Sequence, residues 1–338
     1  MLKSVYIILI LLAVVAVFNS FISDNLELKI PKGFPAPVYN FKNNQLSTTI
    51  FELGRKLFYD PILSKDSTIS CASCHQPFAA FAHIDHALSH GINGKIGTRN
   101  VPALQNLIWN KTFMWDGGVT NLENQPLNPI THPAEMNETL AGVITKLQSS
   151  RQYQSGFKNA YNDTIINSAK ILKALAQFTG LLISANSKYD RFAAGKEKFS
   201  EAEKNGLGLF NSKCSNCHPA PLFTDNSYRN NGVAPDTFLN DIGRGKITQL
   251  ASDDYTFKVP GLRNVELTFP YMHDGRYKRL RDVIEHYATP GKYNSNADKS
   301  LRKIGHLTDK EKKDIIAFLL TLTDKDFVTD KKFTDPHN

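Results

Sequence analysis

Cysteine is scarce in this sequence, with four residues among 338, and the four occur at only two places. Basic runs are also missing, since no stretch of five or more Lys and Arg occurs and the formal net charge is only +8. A nucleic-acid-binding protein is therefore not expected. With 41% hydrophobic and 21% charged residues, the composition excludes a disordered chain, a collagen-like repeat and a polytopic membrane protein. The length predicts about two domains.

The N-terminal region contains one long apolar run, Val5 to Phe18, preceded by the single charge of Lys3. As a helix this run would measure about 21 Å, which is shorter than a hydrocarbon core of ~30 Å. Residues 1–23 are therefore predicted to be a signal peptide, with an uncleaved N-terminal membrane anchor as the alternative. In both cases the mature chain is expected to be exported.

The four cysteines form two copies of one pattern, Cys-x-x-Cys-His, at Cys71–His75 and Cys214–His218. This pattern is the attachment motif of c-type haem. Cys71, Cys74, Cys214 and Cys217 are predicted to form thioethers with two haems, whose irons His75 and His218 would ligate. A Cys2His2 zinc site would not need His directly after the second Cys. Thioredoxin-like pairs expect a βαβ context that is missing, and structural disulfides are a remote alternative.

A second similarity follows each motif. Val101–Gly118 and Val259–Arg276 align without gaps at an offset of 158, with seven identical residues among 18. We interpret this as an internal duplication of one haem-binding module. In the same register Tyr287 lies opposite Pro129. Tyr can ligate haem iron whereas Pro cannot, so the second iron is expected to be closed and the first open to substrate.

The local pattern is mostly helical. A capping box, Ser200 with Glu203, opens one helix, and residues 168–184 have apolar side chains close to a 3.6-residue period. Residues 186–198 are the expected domain junction. Helices are predicted at Ser47–Phe58, Ser168–Ser184, Ser200–Phe210, Leu280–Tyr287 and Thr308–Leu322.

These features resemble the bacterial dihaem cytochrome c peroxidase family, which includes the methylamine-utilisation enzyme MauG. The resemblance covers roughly residues 47–322. It depends on the two haem motifs and on Gly97–Asn100, Trp115–Gly117, His132–Met136, Val259–Asn264 and Met272–Gly275. It implies a mainly α fold with two cytochrome c-like haem domains, here 24–190 (peroxidatic) and 191–338 (electron-transferring).

The resemblance also implies roles for single residues. Glu135 matches the acid/base residue beside the peroxidatic haem, Gln125 its distal amide, and Trp115 the Trp between the haems. His90 matches the distal His that closes the peroxidatic haem in the resting enzyme. The implied calcium site comprises Asn100 and the backbone carbonyls of Thr268 and Pro270.

Tyr287 stands where typical peroxidases of the family have Met and MauG has Tyr. An anionic oxygen ligand should stabilise ferric iron and lower its potential relative to Met. Activation by prior reduction of the second haem is therefore open to question, and MauG-like chemistry is an alternative.

The implied function is reduction of hydrogen peroxide with electrons from a small periplasmic cytochrome c or cupredoxin. Two alternatives stay open: a MauG-like oxidase acting on a protein side chain, and a non-enzymatic dihaem electron carrier. Loss of Lys3 and addition of four haem propionates would leave a net charge of about +3, from which no acidic partner follows. The sequence leaves open whether the chain is a monomer or a homodimer.

Overall fold

The computed structural model describes residues 26–289 and 297–336, and their secondary structure is mainly helical. The predicted N-terminal segment, 1–23, lies outside these residues. The α-helices are α1 (Thr48–Tyr59), α2 (Cys71–Cys74), α3 (Leu127–Thr131), α4 (Leu140–Ser149), α5 (Arg151–Tyr161), α6 (Ser168–Gly180), α7 (Lys188–Ala193), α8 (Glu201–Lys213), α9 (Gly245–Thr248), α10 (Leu280–Ala288), α11 (Asp309–Leu320) and α12 (Lys325–Thr329).

Short 3-10 helices and one strand pair complete the described part of the chain. The strands β1 (Tyr228–Arg229) and β2 (Phe257–Lys258) pair antiparallel. The 3-10 helices are Phe41–Asn43, Pro61–Leu63, Pro77–Ala79, Ile92–Gly94, Leu107–Trp109, Ala251–Asp253, Lys299–Lys303 and Lys331–Phe333. In the part of the chain described here, no helix combines the length and apolar character of a membrane span.

The mainly α fold predicted from the sequence is confirmed, and the five predicted helices are present with shifted ends. The Ser200–Glu203 capping box is formed. The predicted end of the helix at Ser184 is wrong, because α6 stops at Gly180. After Gly180 the backbone turns, and Ser184 N donates a hydrogen bond to the side-chain oxygen of Asn106 at 3.0 Å.

Two hydrophobic cores organise the helices. In the first, α1 crosses α6 around Leu57 and Phe178, both fully buried. In the second, α8 crosses α11 around Phe210 and Phe318. Each haem motif follows the first helix of its pair, so the crossing determines where the motif begins.

Each helix crossing depends on a glycine. A Cβ at Gly54 would lie 1.9 Å from the backbone oxygen of Ala174, and one at Gly206 would lie 1.9 Å from that of Asp314. No real Cβ can approach a carbonyl oxygen so closely, so the two helices of each pair meet backbone to backbone. Both modules use this arrangement.

The two aligned segments also share their local backbone conformation. Left-handed residues occur at matching positions, at Asn106 and Asn264 and at Met114 and Met272. Each segment closes with an isolated antiparallel bridge, Phe113 with Val119 in the first and Tyr271 with Tyr277 in the second. Descent from one duplicated module stays a prediction.

The two modules are joined by buried polar contacts. Arg99 donates two hydrogen bonds to Asp241 at 2.5 and 2.8 Å, and a third to Asp116 at 2.6 Å. The bidentate geometry of Arg99 and Asp241 suits a partly buried ion pair. The backbone of Lys258 also donates to Trp115 O at 2.7 Å.

Two segments extend across the expected boundary at 190/191. Helix α7 lies inside the expected junction 186–198, and its Tyr189 packs on the second core. The last described residues pack on the first core instead, through Phe327 and Phe333. Tyr59 donates its hydroxyl hydrogen to Phe333 O at 2.5 Å. The chain thus returns to the first module after completing the second.

The glycine crossing generates a testable expectation for stability. Gly206→Ala should lower the free energy of unfolding by about 1–3 kcal/mol, because the methyl group forces α8 and α11 apart. Gly208→Ala, on the same helix with open space at its Cβ position, is the matched control and should be neutral or stabilising by up to about 1 kcal/mol. Denaturant unfolding measures both, and equal stability of the two variants would contradict the close crossing.

Candidate active site

The two motif histidines have the same hydrogen bond. His75 Nδ1 lies 2.8 Å from Phe81 O, and His218 Nδ1 lies 2.9 Å from Phe223 O. A carbonyl oxygen can only accept, so Nδ1 carries the proton in both rings. Each Nε2 is left with its lone pair, and the ring is oriented by a group outside the metal site.

Burial keeps both rings neutral. It lowers the pKa of His75 to about 4 and also lowers the pKa of His218. In both cases the hydrogen bond to the carbonyl acts in the opposite direction and is the weaker effect. A neutral imidazole with a free Nε2 is the form that ligates haem iron.

The cysteine environments disfavour thiolate chemistry. Burial raises the pKa of Cys71 and Cys214 to about 12 and that of Cys74 to about 11. Reactive Cys pairs have lowered pKa values instead, and none of the four cysteines forms a disulfide. An uncharged sulfur in an apolar site fits a thioether.

The first motif opens with a short, capped helix. Ser70 and Ser73 form a capping box at the start of α2, which places Cys71 at the first helical position and His75 directly after the helix. The second motif, Cys214 to His218, follows the end of α8, where Cys214 is the C-cap. The two local structures differ, although in both the histidine Nδ1 donates a hydrogen bond to a backbone carbonyl oxygen.

A cavity of about 340 Å³ surrounds the second motif, with Cys214, Cys217 and His218 in its wall. Tyr287, the predicted axial ligand, lines the same cavity. The structure therefore brings the two predicted ligands of the second iron to one chamber. Most of the remaining lining is apolar, as a porphyrin requires.

Asn231 also faces this cavity, and sequence reasoning missed it. Its Nδ2 donates to Met272 Sδ at 3.2 Å and lies 3.5 Å from Tyr287 Oη. His286 Nε2 lies 2.9 Å from the backbone oxygen of Asn231. Asn231 stands in an Asn-Asn-Gly turn that resembles many surface turns, so no pattern in the sequence marks it.

Glu135 lies beside the first motif. The backbone N of Ile92 donates to Glu135 O at 2.8 Å, and a Cβ at Gly91 would lie 2.4 Å from Glu135 Cα. Its carboxylate is close enough to raise the pKa of both Cys71 and Cys74. Burial raises the pKa of Glu135 itself, against the opposing charge of His132.

His90 belongs to a group of three neighbouring rings. Its ring centroid lies 4.0 Å from that of His86, and the His86 ring stacks on His83 at 5.3 Å. His90 Nδ1 lies 3.0 Å from Leu88 O, and its own backbone oxygen lies 3.4 Å from Cys74 Sγ. His90 is therefore adjacent to the first motif, while its role as distal ligand stays a prediction.

Trp115 and Gln125 both line the cavity of the second motif, although they belong to the first module. Trp115 Nε1 donates to Asn100 O at 2.8 Å, which holds the indole between the modules. Glu135 does not line this cavity. The structure thus places Gln125 on the Trp115 side, and its role as a distal amide stays a prediction.

The residues expected to hold calcium, Asn100, Thr268 and Pro270, all line this cavity, and Asn100 and Pro270 are in direct contact. Asn100 Nδ2 donates to Pro270 O at 2.6 Å, and Asn100 Oδ1 is buried without a hydrogen-bond partner. Turning the amide by 180° would direct Oδ1 toward the backbone oxygens instead. Such a set of neutral oxygens suits Ca²⁺. A bound cation would give the buried Asn100 Oδ1 a partner.

No group of three or more His, Cys, Asp and Glu side chains within 26–289 and 297–336 is arranged to hold a metal ion directly. Each motif offers one histidine, which is sufficient for an iron already held in a porphyrin. The residues present therefore fit haem at both motifs.

Comparisons with known proteins agree with this geometry. A family model described as di-haem cytochrome c peroxidase matches residues 48–198. The chain is 34% identical over 326 residues to the methylamine utilization protein MauG of Methylophilus methylotrophus, covering 93% of this chain and 94% of that protein. It is 35% identical over 277 residues to the cytochrome c551 peroxidase of Nitrosomonas europaea, covering 80% and 79%. A solved MauG-like protein associated with microbial copper homeostasis has a TM-score of 0.85 at 30% identity, covering 93% and 100%.

Covalent attachment at both motifs is testable by haem counting. The double variant Cys214→Ser, Cys217→Ser should retain one covalent haem per chain and the unaltered protein two, because each pair of thioethers holds one porphyrin. Ser215→Ala, between the same cysteines, is the control and should keep two. Haemochrome spectra and intact mass after acid extraction give the counts, and two covalent haems in the double variant would refute the assignment.

Proposed function

Because this chain belongs to the di-haem cytochrome c peroxidase and MauG family, a family of dihaem peroxidases and oxidases, we propose that it reduces hydrogen peroxide to water with electrons from a small cytochrome c or cupredoxin. The observation that supports this most is the difference between two similarly anchored motifs. A partly buried carboxyl group, Glu135, adjoins the first, and a phenol, Tyr287, shares a cavity with the second. A simple electron carrier does not require such a difference.

The bound haems would supply the one-electron redox steps and the site where peroxide oxygen is held. His75 and His218 would be their proximal ligands, each oriented by its Nδ1–H bond to a backbone carbonyl. Reduction of one peroxide consumes two electrons and two protons and yields two waters. The chain must therefore move protons to the oxygen that leaves.

Glu135 is suited to that proton transfer. Burial raises its pKa, so the carboxyl group holds a proton at higher pH than an exposed Glu does and can still release it. A general acid/base works best when its pKa lies near the working pH. Its backbone bond to Ile92 N fixes its position beside the first motif.

Trp115 is proposed to connect the two haem sites electronically. It lies in the wall of the second cavity, and its indole is fixed by Asn100 O. The same Asn100 belongs to the proposed calcium site. A cation bound there would therefore stiffen the segment that positions the Trp.

A second candidate function is MauG-like oxidation of a protein side chain. Tyr287, in the cavity of His218, favours it, because a Tyr ligand would hold the second iron in its ferric form more strongly than Met. Reductive activation would then be harder, and the electrons would come from a protein substrate. The relative from Methylophilus methylotrophus bears the MauG name at 34% identity.

Export to the periplasm is part of the proposal. It is supported by the apolar run at Val5–Phe18, which lies outside the described residues, and by the covalent haem motifs.

Glu135→Gln should lower the peroxide turnover number about 100-fold or more, because the amide cannot carry the proton. Both haems should remain attached. Glu138→Gln is the control, since Glu138 lies three residues away and pairs with Lys146 at 2.8 Å. Steady-state assays with a reduced donor measure the effect. Near-normal turnover in Glu135→Gln would remove Glu135 from the mechanism.

Calcium dependence can be separated from simple packing at Asn100. Asn100→Asp should keep one calcium per chain, because a carboxylate also ligates Ca²⁺, whereas Asn100→Ala should lose it. If the amide merely donated to Pro270 O, the Asp variant would be the more damaged of the two. Metal analysis after gel filtration, with activity before and after chelator treatment, distinguishes these results.

The source of electrons decides between the candidate functions. The peroxidase should oxidise two equivalents of a reduced donor protein for each peroxide consumed. The MauG-like oxidase should consume peroxide without a donor and oxidise side chains, which peptide mass spectrometry detects. A protein with two haems that ignores peroxide in both diferric and half-reduced states would be an electron carrier.

A further inference from the structure

Positive charge is concentrated at one edge of the second cavity. The 3-10 helix Lys299–Lys303 lies there, with Ser300, Leu301 and Lys303 in the cavity wall. Cys217 Sγ lies 3.9 Å from Ser300 Oγ. This helix therefore adjoins the sulfur that would carry the second porphyrin.

Four basic side chains surround this edge, and we name them the basic rim: Lys213, Lys299, Arg302 and Lys303. Lys213 Nζ donates to Ile304 O at 2.7 Å, which holds it beside the helix. The side chains of Lys299, Arg302 and Lys303 are exposed. Among the described residues, none of the four forms an ion pair within 4.0 Å.

The neighbouring carboxylates offset only part of the rim charge. Asp298 directs one oxygen to Arg229 at 2.9 Å and the other to Ser300 N at 2.8 Å. Glu311 caps α11 through Thr308 and is close enough to Lys213 for that charge to help lower the pKa of Glu311, so it offsets one of the four rim charges. A cationic excess remains at the cavity edge.

We propose that the basic rim is the docking surface for an acidic protein electron donor. The proposal rests on the function proposed above, and it adds the charge of the partner. A donor that docks here would lie next to Cys217, whose Sγ is 3.9 Å from Ser300 Oγ. The about +3 charge expected of the whole holoprotein gives no such indication, because opposite charges elsewhere mask this local excess.

The position of the basic rim favours a protein partner over a lipid surface. The rim is small, since three of its members lie on a five-residue helix, and it borders an electron-transfer cavity. Complementary charge accelerates encounter between redox proteins and is weakened by salt, because the Debye length falls to about 8 Å at physiological ionic strength.

The test compares the dihaem protein with the double variant Lys299→Glu, Arg302→Glu. Neither Lys299 nor Arg302 lines the cavity. The probes are a reduced cupredoxin of acidic pI, a reduced basic cytochrome c and a neutral hydroquinone. In the variant, kcat/KM for the acidic cupredoxin should fall about five- to tenfold and lose most of its salt dependence. The value for the basic cytochrome should rise, and that for hydroquinone should not change.

The matched control is Arg151→Glu, Lys158→Glu, which reverses one Arg and one Lys on the exposed face of α5. It should behave as the unaltered protein. An equal effect in control and rim variants, or no preference for the acidic donor, would overturn the proposal. Loss of haem from the rim variant would overturn it too, because the rim would then serve the cofactor.

Two measurements separate this proposal from its premise. Titration calorimetry with the acidic cupredoxin at low ionic strength measures docking without turnover, and rim-dependent binding supports the proposal even if peroxide is not consumed. Failure of the unaltered protein with all three reductants would refute the peroxidase function instead. Rim-dependent flotation with anionic vesicles, without any effect on the donor, would assign the rim to a membrane surface and overturn the proposal.

Discussion

Each motif histidine donates its Nδ1 proton to the backbone of the loop that follows it, to Phe81 O in one module and Phe223 O in the other. The side chains of Phe81 and Phe223 are themselves buried in the two cores. The ring orientation is thus tied to core packing rather than to the metal. An imidazole fixed in this way presents Nε2 in one direction before any cofactor arrives.

The two modules share this anchor and differ in the residues beside it. Glu135 and His90 lie beside the first motif. Around the second lie Tyr287 and Asn231, a phenol and an amide donor. The Asn231 amide nitrogen lies 3.5 Å from the Tyr287 hydroxyl, and the role of Tyr287 as an axial ligand stays a prediction. The two motifs therefore differ in their surrounding side chains and not in how the backbone holds their histidines.

Sequence reasoning succeeded where a local rule was sufficient. The Ser200–Glu203 capping box depends on residues three positions apart, and it was predicted correctly. The Cys-x-x-Cys-His pattern also lies within five positions, and haem attachment there stays a prediction. Sequence reasoning was wrong about the end of α6, because Asn106, far away in the chain, determines the turn after Gly180. Asn231 was missed for the same reason: its partners are 41 and 56 residues away.

The net charge of a sequence likewise does not tell where charge lies on the folded surface. A sum over the whole chain treats every Lys as equivalent, whereas fields in salt solution act over about one Debye length. Arg99 and Arg263 are each paired with an Asp inside the fold and contribute little to what an approaching protein encounters. Lys299 and Arg302 are exposed beside the second cavity and contribute much more. By burying some charges in pairs and exposing others at one edge, the fold gives the chain a local positive surface that its net charge does not reveal.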